Sequence, residues 1–574
     1  MCTSFADPVA AAALALLLAC GCAPERGARP DRILLVTVDT LRADHVGSYG
    51  SVSAHTPQMD TVAAQGVRFA EAISPAPLTL PAHASILTGL DPPAHGVRHN
   101  SIHRLADDLP TLPERMREAG YATAAFVGSL VLDRRFGLAR GFDHYDDRMG
   151  SRRSARVGFA ERRADRVVDA VLAWLESAPE RFFLWVHFYD PHSRYDPPRG
   201  FASAFASRPY DGEIAFADAQ LGRLLAALGP DASRQLVVVT SDHGESLGEH
   251  GEATHSYLVY DATQRVPLLL RGPGLPAGLA VEVPVRLLDL APTLLELAGA
   301  PGLGAVEGRS LLPLVAGRDL EPRSAYLETL ATQLDLGWSP LVGLRAGGWK
   351  YIRAPRPELY ELGADPAELD NRADREPEVV ARLERALEAR SAGARPPLAD
   401  VELGAQEREL LEGLGYAVPD ADPPVGLGVV GGPDPKDRIH QLRAFARAES
   451  ELDRGRPARA LAALDAIDES GAHVSALRAS AALAAGDPAR AAGEARRALA
   501  GAPQRDDMWI LLGRAEEAQR RWDEAREAYA RAAAADPDSQ EAWAGLARTL
   551  ERLGRSADAA RARARAAPRQ AQPM

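Results

Sequence analysis

Three polar segments contain residues that could bind a metal ion or attack an ester. Asp39 follows an apolar run, Thr79 stands two residues before Pro81, and Asp242 and His243 follow another apolar run. A carboxylate at the end of a buried strand is costly unless a positive charge meets it. Asp and His together supply the oxygen and nitrogen donors that divalent metals bind. Each segment alone would also fit a turn or a helix cap.

The second segment predicts an anion site at a helix start. Pro81 suits the first turn of a helix, which places Thr79 just before the helix N-terminus. Free backbone N–H groups and the helix dipole attract an anion there. A hydroxyl in that position could attack a phosphate or sulfate held by the same amides. The alternative is that Thr79 only caps the helix.

The elements that must position these residues alternate between strands and helices. Buried strands are predicted at 32–38, 182–187 and 235–240, and helices at 56–65, 111–119 and 211–228. This alternation predicts an α/β fold with a mostly parallel central sheet flanked by helices. Such sheets place their sites beyond the C-terminal ends of the strands. Asp39, the segment 190–192 and Asp242-His243 are all expected at that edge.

Composition excludes several classes of protein. The chain has 574 residues, 46% of them hydrophobic, and a formal charge of −13, which lacks the basic excess of a nucleic-acid binder. No apolar run approaches the roughly 20 residues that span a bilayer. The three cysteines are Cys2, Cys20 and Cys22. The rest of the chain therefore has no thiol nucleophile and no thiolate metal ligand, so that any metal must be held by oxygen and imidazole.

The segment 1–22 is predicted to be an export signal. Residues 9–19 form an apolar stretch that fits the h-region of a signal peptide and is too short for a membrane span. The ending Leu-Leu-Ala before Cys20 resembles the lipobox of bacterial lipoproteins. That resemblance implies a lipid anchor on Cys20 and a periplasmic or cell-surface location. A plain signal peptide or a misassigned start is the alternative.

The C-terminal part of the sequence is periodic. A Gly- and Pro-rich segment at 396–436 is predicted to be a linker, and residues 437–570 are Ala-rich and helical in pattern. The spacing from Trp509 to Trp543 equals the spacing from Pro503 to Pro537. It resembles the tetratricopeptide repeat, whose period is about 34 residues, and implies stacked helix pairs that bind a protein or peptide partner. A generic Ala- and Arg-rich helical bundle is the alternative.

Residues 31–395 resemble the sulfatase family of the alkaline phosphatase superfamily. The stretches that carry the resemblance are RILLVTVDTLRADHVGSYG, HTPQMDTVAAQGVRFAEAIS, TLPAHASILTGL, VHFYDPHSRYDPP, SDHGESLGEHG, RVPLLLRGPG and ELYELGADPAELDN. The resemblance implies a metal-dependent ester hydrolase with the α/β fold already predicted. Its motifs follow one another in the family's order.

Four departures from the family pattern concern the site itself. Thr79 stands where typical sulfatases carry a Cys or Ser that is oxidised to formylglycine, and threonine cannot give that aldehyde. His83 replaces the Arg of the same motif, and Thr40 replaces a second Asp. No lysine precedes Lys350, although typical sulfatases use two in the site. The site resembles the branches of the superfamily that transfer phosphate groups through an unmodified threonine, such as lipoteichoic acid synthases.

The resemblance implies a divalent metal on Asp39, Asp242 and His243, with Thr79 as the fourth ligand and the nucleophile. Imidazole favours zinc, while manganese, magnesium and calcium stay open as alternatives.

The same resemblance places His192 and His255 opposite each other across the substrate. There they would steady its oxygens, protonate the leaving group or hold a second metal. Asn100 and Asp190 are candidates for substrate contact, and a loop-capping role is an equal alternative for Asn100. Other histidines, including His83, are expected to be packing or surface residues.

Three functions are compatible with these observations. The first is an exported metal-dependent hydrolase or transferase that acts on a phosphoester, either a small molecule or a cell-envelope component. The second is a sulfuric ester hydrolase, as the family name suggests. The third is a catalytically degenerate scaffold that binds partners through its repeats. The complete set of candidate site residues argues against the third.

Overall fold

The computed structural model describes residues 29–149, 162–229, 231–318, 320–399, 401, 426–467, 472–501, 503, 505–537 and 539–566. A nine-stranded sheet forms the centre of the first domain. Its strands are β1 Arg32–Val38, β2 Val67–Ile73, β3 Ala122–Phe126, β4 His144–Asp146, β5 Phe182–Phe188, β6 Gln235–Thr240, β7 Arg265–Arg271, β8 Leu279–Val281 and β9 Val285–Arg286. The candidate export signal and Cys20 lie outside the described residues.

The sheet confirms the predicted α/β architecture. Its order is β4-β3-β5-β1-β6-β7-β2-β8, with β9 beside β2. Strands β3, β4, β5, β1 and β6 are parallel, and β7 runs antiparallel to both of its neighbours. β1 and β6 begin and end where the apolar runs predict, and β5 extends one residue further than predicted.

The pleat of the central strands decides which side chains reach the site. Thr37 of β1 lies in register with His187 of β5 and Thr240 of β6. Because side chains alternate between the two faces of a strand, these three point to the same face. Asp39 and Asp242 lie two residues further along and continue that face. The apolar residues before them share one buried cluster, which includes Ile33, Leu35, Phe183, Trp185, Leu236 and Val238.

Helices flank this sheet on both faces. The predicted helices are present with small shifts at their ends, as Pro57–Ala64, Leu112–Glu118 and Pro209–Leu228. Each carries a proline in its first turn, where the missing N–H costs nothing. The others in this domain are Thr79–Thr88, Pro92–His95, Ala164–Leu175, Arg199–Ala204, Asp261–Gln264, Leu290–Ala298, Leu312–Val315 and Ala331–Leu336.

A second, antiparallel sheet follows that the sequence analysis did not anticipate. Its strands are β10 Ala325–Thr329, β11 Leu341–Ala346, β12 Trp349–Arg353 and β13 Glu358–Glu361, in that order. The helix Pro377–Ser391 packs on it. Lys350 of β12 is fully buried, and its Nζ lies 2.6 Å from Asp261 Oδ1 and 2.7 Å from Glu368 Oε1. This lysine therefore holds the second sheet to the segment before β7.

The described residues of the C-terminal region form four helix pairs. Their bounds are His440–Asp453 with Pro457–Leu464, Ala472–Ala484 with Pro488–Gly501, Asp506–Ala518 with Trp522–Ala535, and Gln540–Arg552 with Ser556–Ala566. Trp509 Nε1 donates to Pro503 O and Trp543 Nε1 donates to Pro537 O, both at 2.8 Å. Equivalent bonds at equivalent positions of two successive repeats confirm the predicted period. Among the described residues, no helix is both long and apolar enough to cross a membrane.

The end of the predicted linker is packed onto the first domain. The short helix Pro435–Arg438 precedes the first pair. Pro433 O accepts from Ser339 N (2.8 Å), and Lys436 Nζ lies 2.9 Å from Glu358 Oε1. Residues 426–436 of the predicted linker are therefore docked on the first domain through specific partners. Residues 402–425 lie outside the described part of the chain.

The repeats also share a buried core with the first domain. Trp338 is 1% exposed and lies in one hydrophobic cluster with Phe445, Ala448 and Leu464 of the first helix pair. Tyr257 packs against the same cluster from the site side. Ile439 lies in a second cluster with Leu258 and Tyr260. The segment that follows His255 is thus in contact with the start of the repeats.

Replacing Trp338 with alanine should destabilise the whole protein. We expect a loss of about 3–5 kcal/mol in the free energy of unfolding, because a fully buried tryptophan leaves a cavity between the two domains. Urea unfolding followed by circular dichroism measures it. Trp349→Ala is the control, since Trp349 is only half-buried and lies in the antiparallel sheet. Equal losses in the two variants would contradict a shared core at Trp338.

Candidate metal centre and nucleophile

Asp39, Asp242 and His243 meet at the C-terminal ends of β1 and β6. All three are fully buried. His243 Nε2 lies 3.7 Å from Asp39 Oδ1 and 3.6 Å from Asp242 Oδ2. Zinc–ligand distances of about 2.0–2.1 Å place two donors of a tetrahedral site about 3.4 Å apart. The spacing of these three donor groups therefore suits one shared cation.

Two hydrogen bonds hold the loops that carry these residues. Leu41 N donates to Ser241 Oγ at 3.0 Å, which ties the loop after β1 to the loop after β6. Gly244 N donates to Thr263 O at 2.8 Å. A Cβ on Gly244 would collide with the carbonyl oxygen of Ala262. A glycine is therefore required here by the close approach of the two backbones. A left-handed backbone conformation is not the reason, because the φ of Gly244 is not positive.

The carboxylate oxygens that face His243 lack hydrogen-bond partners. Both carboxylate oxygens of Asp39 and Oδ2 of Asp242 are buried without a hydrogen bond. Burial, and next the Asp242 carboxylate, raise the pKa of Asp39 well above its usual range. Burial lowers the pKa of His243 to about 4, so that its imidazole is neutral at neutral pH. Two buried carboxylates and a neutral imidazole fit a divalent cation, which would compensate the charge and use the lone pairs.

Thr79 lies beside this cluster, at the start of a ten-residue helix. Thr79 is the first residue of the helix Thr79–Thr88, and the cap position is Leu78. The prediction that Thr79 precedes the helix is wrong, because the helix begins at Thr79 itself, and Pro81 is its third residue, within the predicted first turn. The Thr79 hydroxyl oxygen is 3.4 Å from His243 Nε2 and fully buried. It therefore sits both at the helix N-terminus and at the candidate metal centre.

Asn100 supports the first turn of this helix. Its side-chain oxygen accepts from Leu80 N at 2.8 Å, next to Thr79. Its Nδ2 is buried without a hydrogen-bond partner. The side-chain oxygen of Asn100 is thus used in a hydrogen bond to the helix, while its amide nitrogen has no acceptor. The substrate-contact hypothesis for Asn100 stays a proposal.

His192 and His255 lie together on the other side of His243. Their rings are 4.9 Å apart, and the rings of His243 and His255 are 4.6 Å apart. Glu245 Oε1 is 3.2 Å from His255 Nδ1. Burial alone would lower the pKa of His255, but the Glu245 carboxylate raises it to about 9. His255 is therefore an imidazolium at neutral pH.

Glu245 is a candidate site residue that the sequence analysis did not single out. It is fully buried, and its second oxygen accepts from Tyr195 OH at 2.8 Å. Arg42 donates to the backbone oxygen of Glu245 at 3.0 Å and pairs with Asp44 at 2.7 Å. This ion pair therefore braces the loop after β1 against the segment that carries Glu245. Local sequence does not indicate that Glu245, two residues after His243, faces His255.

Asp190, two residues after β5, has a structural contact of its own. Its Oδ2 accepts from Ala164 N at 2.7 Å, at the start of the helix Ala164–Leu175. A carboxylate there satisfies a free helical N–H and complements the helix dipole. This bond uses one oxygen of the carboxylate, and the substrate-contact hypothesis for Asp190 stays a proposal.

Two further histidines lie next to the cluster. His83 is fully buried, with Nδ1 2.8 Å from Thr79 O and Nε2 3.0 Å from Thr37 Oγ1, and it also lies in one metal-capable group with His187 and Asp242. His187 is also fully buried, and the sequence analysis did not single it out. Its Nε2 lies 3.5 Å from Asp39 Oδ2. The alternation of β5 was the available signal, because Phe183, Trp185 and His187 share one face.

Family models match both parts of the chain. Residues 31–300 match the model described as Sulfatase, and residues 248–392 match the model described as N-sulphoglucosamine sulphohydrolase, C-terminal. Residues 506–549 match the model described as Tetratricopeptide repeat. Residues 31–392 are therefore a sulfatase-family hydrolase domain, and a tetratricopeptide-repeat region follows it. The second model covers the antiparallel sheet that the sequence analysis did not anticipate.

Curated relatives carry sulfatase names. The chain is 26% identical over 431 residues to a sulfatase of Formosa agariphila, a match that covers 60% of this chain and 83% of that protein. It is 27% identical over 430 residues to the choline-sulfatase of Rhizobium meliloti, covering 60% and 82%. Arylsulfatase K of Danio rerio is 35% identical over 189 residues, which are 31% of this chain and 36% of that protein.

Solved structures share the fold. The phosphonate monoester hydrolase of Agrobacterium radiobacter superposes with a TM-score of 0.56 at 22% identity, covering 66% of this chain and 99% of that one. A protein solved with its substrate D-glucosamine-2-N,6-O-disulfate superposes with a TM-score of 0.55 at 21% identity, covering 64% and 99%. At these identities the likeness concerns the fold of the catalytic domain.

Proposed function

We propose that the catalytic domain cleaves or transfers a phosphoester group through Thr79, with a divalent metal on Asp39, Asp242 and His243. The observation that carries the proposal is the 3.4 Å distance between Thr79 Oγ1 and His243 Nε2 at a helix N-terminus. A threonine cannot form the aldehyde of a typical sulfatase, so an unmodified hydroxyl must do the chemistry. Alkoxide attack on phosphorus is the simplest use of such a group.

The residues around Thr79 support this chemistry. A bound divalent cation, zinc by preference, would compensate the two carboxylates and lower the pKa of the Thr79 hydroxyl. Thr79 Oγ bonds to phosphorus while the bond to the leaving oxygen breaks. His255 carries the positive charge that contacts the anionic oxygens, a charge that typical sulfatases supply with lysines. Water, or an acceptor alcohol, then releases the group from Thr79.

Hydrolysis of a sulfate ester is the second candidate. The names of the relatives, including a choline-sulfatase, favour it. A tetrahedral sulfate would meet the same helix N-terminus and the same imidazolium. A phosphonate monoester hydrolase shares this fold. The fold alone therefore does not distinguish a phosphoester substrate from a sulfate ester.

Location and partners complete the proposal. The apolar segment 9–19 and Cys20 support an exported protein held at a membrane by a lipid anchor. Its substrate would then be a small molecule or a cell-envelope ester. The four helix pairs support binding of a protein or peptide partner.

A panel of aryl esters tests the reaction. Residues 31–574 are purified with zinc and offered p-nitrophenyl phosphate, bis(p-nitrophenyl) phosphate and p-nitrophenyl sulfate. We expect kcat/KM for one of the phosphate esters to exceed that for the sulfate by at least about 100-fold, which corresponds to about 2.7 kcal/mol in transition-state binding. The absorbance of released p-nitrophenolate measures the rates. A preference for the sulfate would replace phosphoester cleavage with the second candidate.

A further inference from the structure

Asp335 is a buried carboxylate that the proposed reaction does not use. It belongs to the helix Ala331–Leu336, which follows the first strand of the antiparallel sheet, and its side chain is 4% exposed. Carboxylates are seldom buried this deeply unless donors meet them. The two oxygens of Asp335 face donors from two different loops, and each of these loops carries a candidate site residue.

The first loop is the one that carries Asn100. His99 Nε2 lies 2.9 Å from Asp335 Oδ1, and both side chains are buried. His99 Nδ1 lies 3.3 Å from Ser101 N, a backbone amide that can only donate. Nδ1 is therefore the acceptor and Nε2 carries the proton, so the ring donates to Asp335. Because His99 bonds both Asp335 and Ser101, it fixes the backbone on either side of Asn100.

The second loop is the one that carries His255. Tyr257 OH donates to Asp335 Oδ2 at 3.4 Å. The same segment is held by Thr329 Oγ1, which donates to Ser256 O. Ser256 has a φ of 95°, a conformation that costs energy for a residue with a side chain and persists only where its surroundings enforce it. The position of His255 therefore depends on contacts that the next two residues make.

The helix that carries Asp335 is a rigid support. Trp338 N donates to Thr332 O at 2.9 Å, which closes the turn after the helix. Leu336 and Trp338 are buried in the cluster that is shared with the first helix pair. A side chain on such a packed element keeps a fixed position. Asp335 is thus suited to hold two loops at a constant separation.

Both loops place a polar side chain near the nucleophile. Asn100 accepts from Leu80 N, next to Thr79, and its Nδ2 has no hydrogen-bond partner. The ring of His255 is 4.6 Å from the ring of His243, which contacts Thr79. A substrate anion at Thr79 would therefore meet one group from each loop. Their separation matters, because a misplacement of about 1 Å can lower a rate by about 100-fold.

We propose that Asp335 is a positioning residue that holds the loop of Asn100 and the loop of His255 at the separation that the substrate requires. It touches no reacting atom and acts through His99 and Tyr257. This inference rests on the site of the proposed function, but not on the identity of the metal or on which ester the enzyme cleaves.

Two substitutions of Asp335 test the proposal on the purified protein. Asp335→Ala removes both acceptors, and we expect kcat/KM for the accepted p-nitrophenyl ester to fall at least about 30-fold. Asp335→Asn keeps an oxygen for the His99 N–H and an amide for the Tyr257 oxygen, so it should stay within about threefold of the wild type. Zinc content should be unchanged, and circular dichroism at the assay temperature should show that both variants are folded.

A double-mutant cycle with Asn100 separates positioning from a general loss of packing. Asn100→Ala removes one of the two groups that Asp335 positions. In that background Asp335→Ala should cost at most about tenfold in kcat/KM, because only the loop of His255 is left to displace. A residue needed only for folding would cost the same factor in both backgrounds.

Glu384→Ala is the matched control. Glu384 also accepts from a tyrosine and a basic side chain, with Tyr351 OH at 2.6 Å and Arg353 Nε at 3.1 Å. These contacts join the helix Pro377–Ser391 to β12 rather than to either loop. We expect the kcat/KM of this variant to stay within about twofold of the wild type.

The outcomes separate this inference from the proposed function. Wild-type kcat/KM in Asp335→Ala, or equal losses with and without Asn100→Ala, would overturn the positioning role and leave the proposed function in place. A wild type that cleaves none of the aryl esters would overturn this inference together with the proposed function. A loss that Asp335→Asn rescues, that shrinks in the Asn100→Ala background and that Glu384→Ala does not share would establish the role of Asp335.

Discussion

Thr79→Ala is expected to lower kcat for the accepted ester by at least about 10³-fold, because alanine removes the oxygen that forms the covalent bond. KM should change little, since the helix N-terminus and His255 still bind the anion. Thr79→Ser keeps a hydroxyl and should stay within about tenfold of the wild type. Steady-state kinetics with p-nitrophenyl esters measures both variants.

Thr88→Ala is the matched control for this experiment. Thr88 is the last residue of the same helix, is fully buried, and donates to Ala84 O at 2.7 Å. Loss of the Thr88 hydroxyl perturbs the C-terminal end of the helix but removes no contact with the candidate metal centre. The kcat of Thr88→Ala should therefore stay near that of the wild type. Full activity in Thr79→Ala would show that another group attacks the ester and would remove the central step of the proposed mechanism.

Removal of the metal centre should have an effect of similar size. We expect Asp242→Ala to purify without stoichiometric zinc and to lose at least about 10³-fold in kcat/KM, because one ligand and the activation of Thr79 disappear together. Chelator treatment of the wild type should abolish turnover, and added zinc should restore it. Metal content by mass spectrometry and turnover are measured on the same samples.

Asp44→Ala separates this effect from a general loss of charge. The Asp44 carboxylate is more than half exposed and pairs with Arg42 near the same loop. This variant should retain its zinc and most of its activity. If chelation left turnover intact while removing all zinc, the cluster of Asp39, Asp242 and His243 would have a structural role only.

The sheet was predictable because its central strands are unambiguous. β1 and β6 are unbroken apolar runs that end in polar residues, and such runs are typical of parallel strands buried on both faces. The Trp509 and Trp543 spacing likewise predicted the repeats. The antiparallel sheet was missed because β10 to β13 are short and carry charged residues such as Glu328 and Arg345, which obscure the apolar pattern.

The site was only partly predictable. Thr79, Asp242 and His243 lie at the ends of recognisable elements, so the order of elements along the chain was enough to bring them together. His187 and Glu245 depend on which strands are neighbours and in what register, and these are tertiary facts that local sequence does not contain. His187 reaches the cluster only because β5 pairs beside β1.

Asp190 is a residue whose role local sequence leaves open. Its position after β5, close to His192, suggested substrate contact, but the helix that begins at Ala164 uses its carboxylate as a cap. A polar residue at a strand end can serve either purpose. The choice depends on which backbone amide lies within reach, and this is set by the path of a distant segment.

The contact between the repeats and the loop after His255 has a consequence for how such a protein can diversify. Tyr257, two residues after His255, packs against the cluster that contains the first repeat helices. A change of length in His440–Asp453 would shift that packing and, with it, the position of His255. Units added beyond Ser556–Ala566 would touch only their immediate neighbour. Gain and loss of repeats among descendants of this gene should therefore concentrate at the C-terminal end, while the first pair keeps its length.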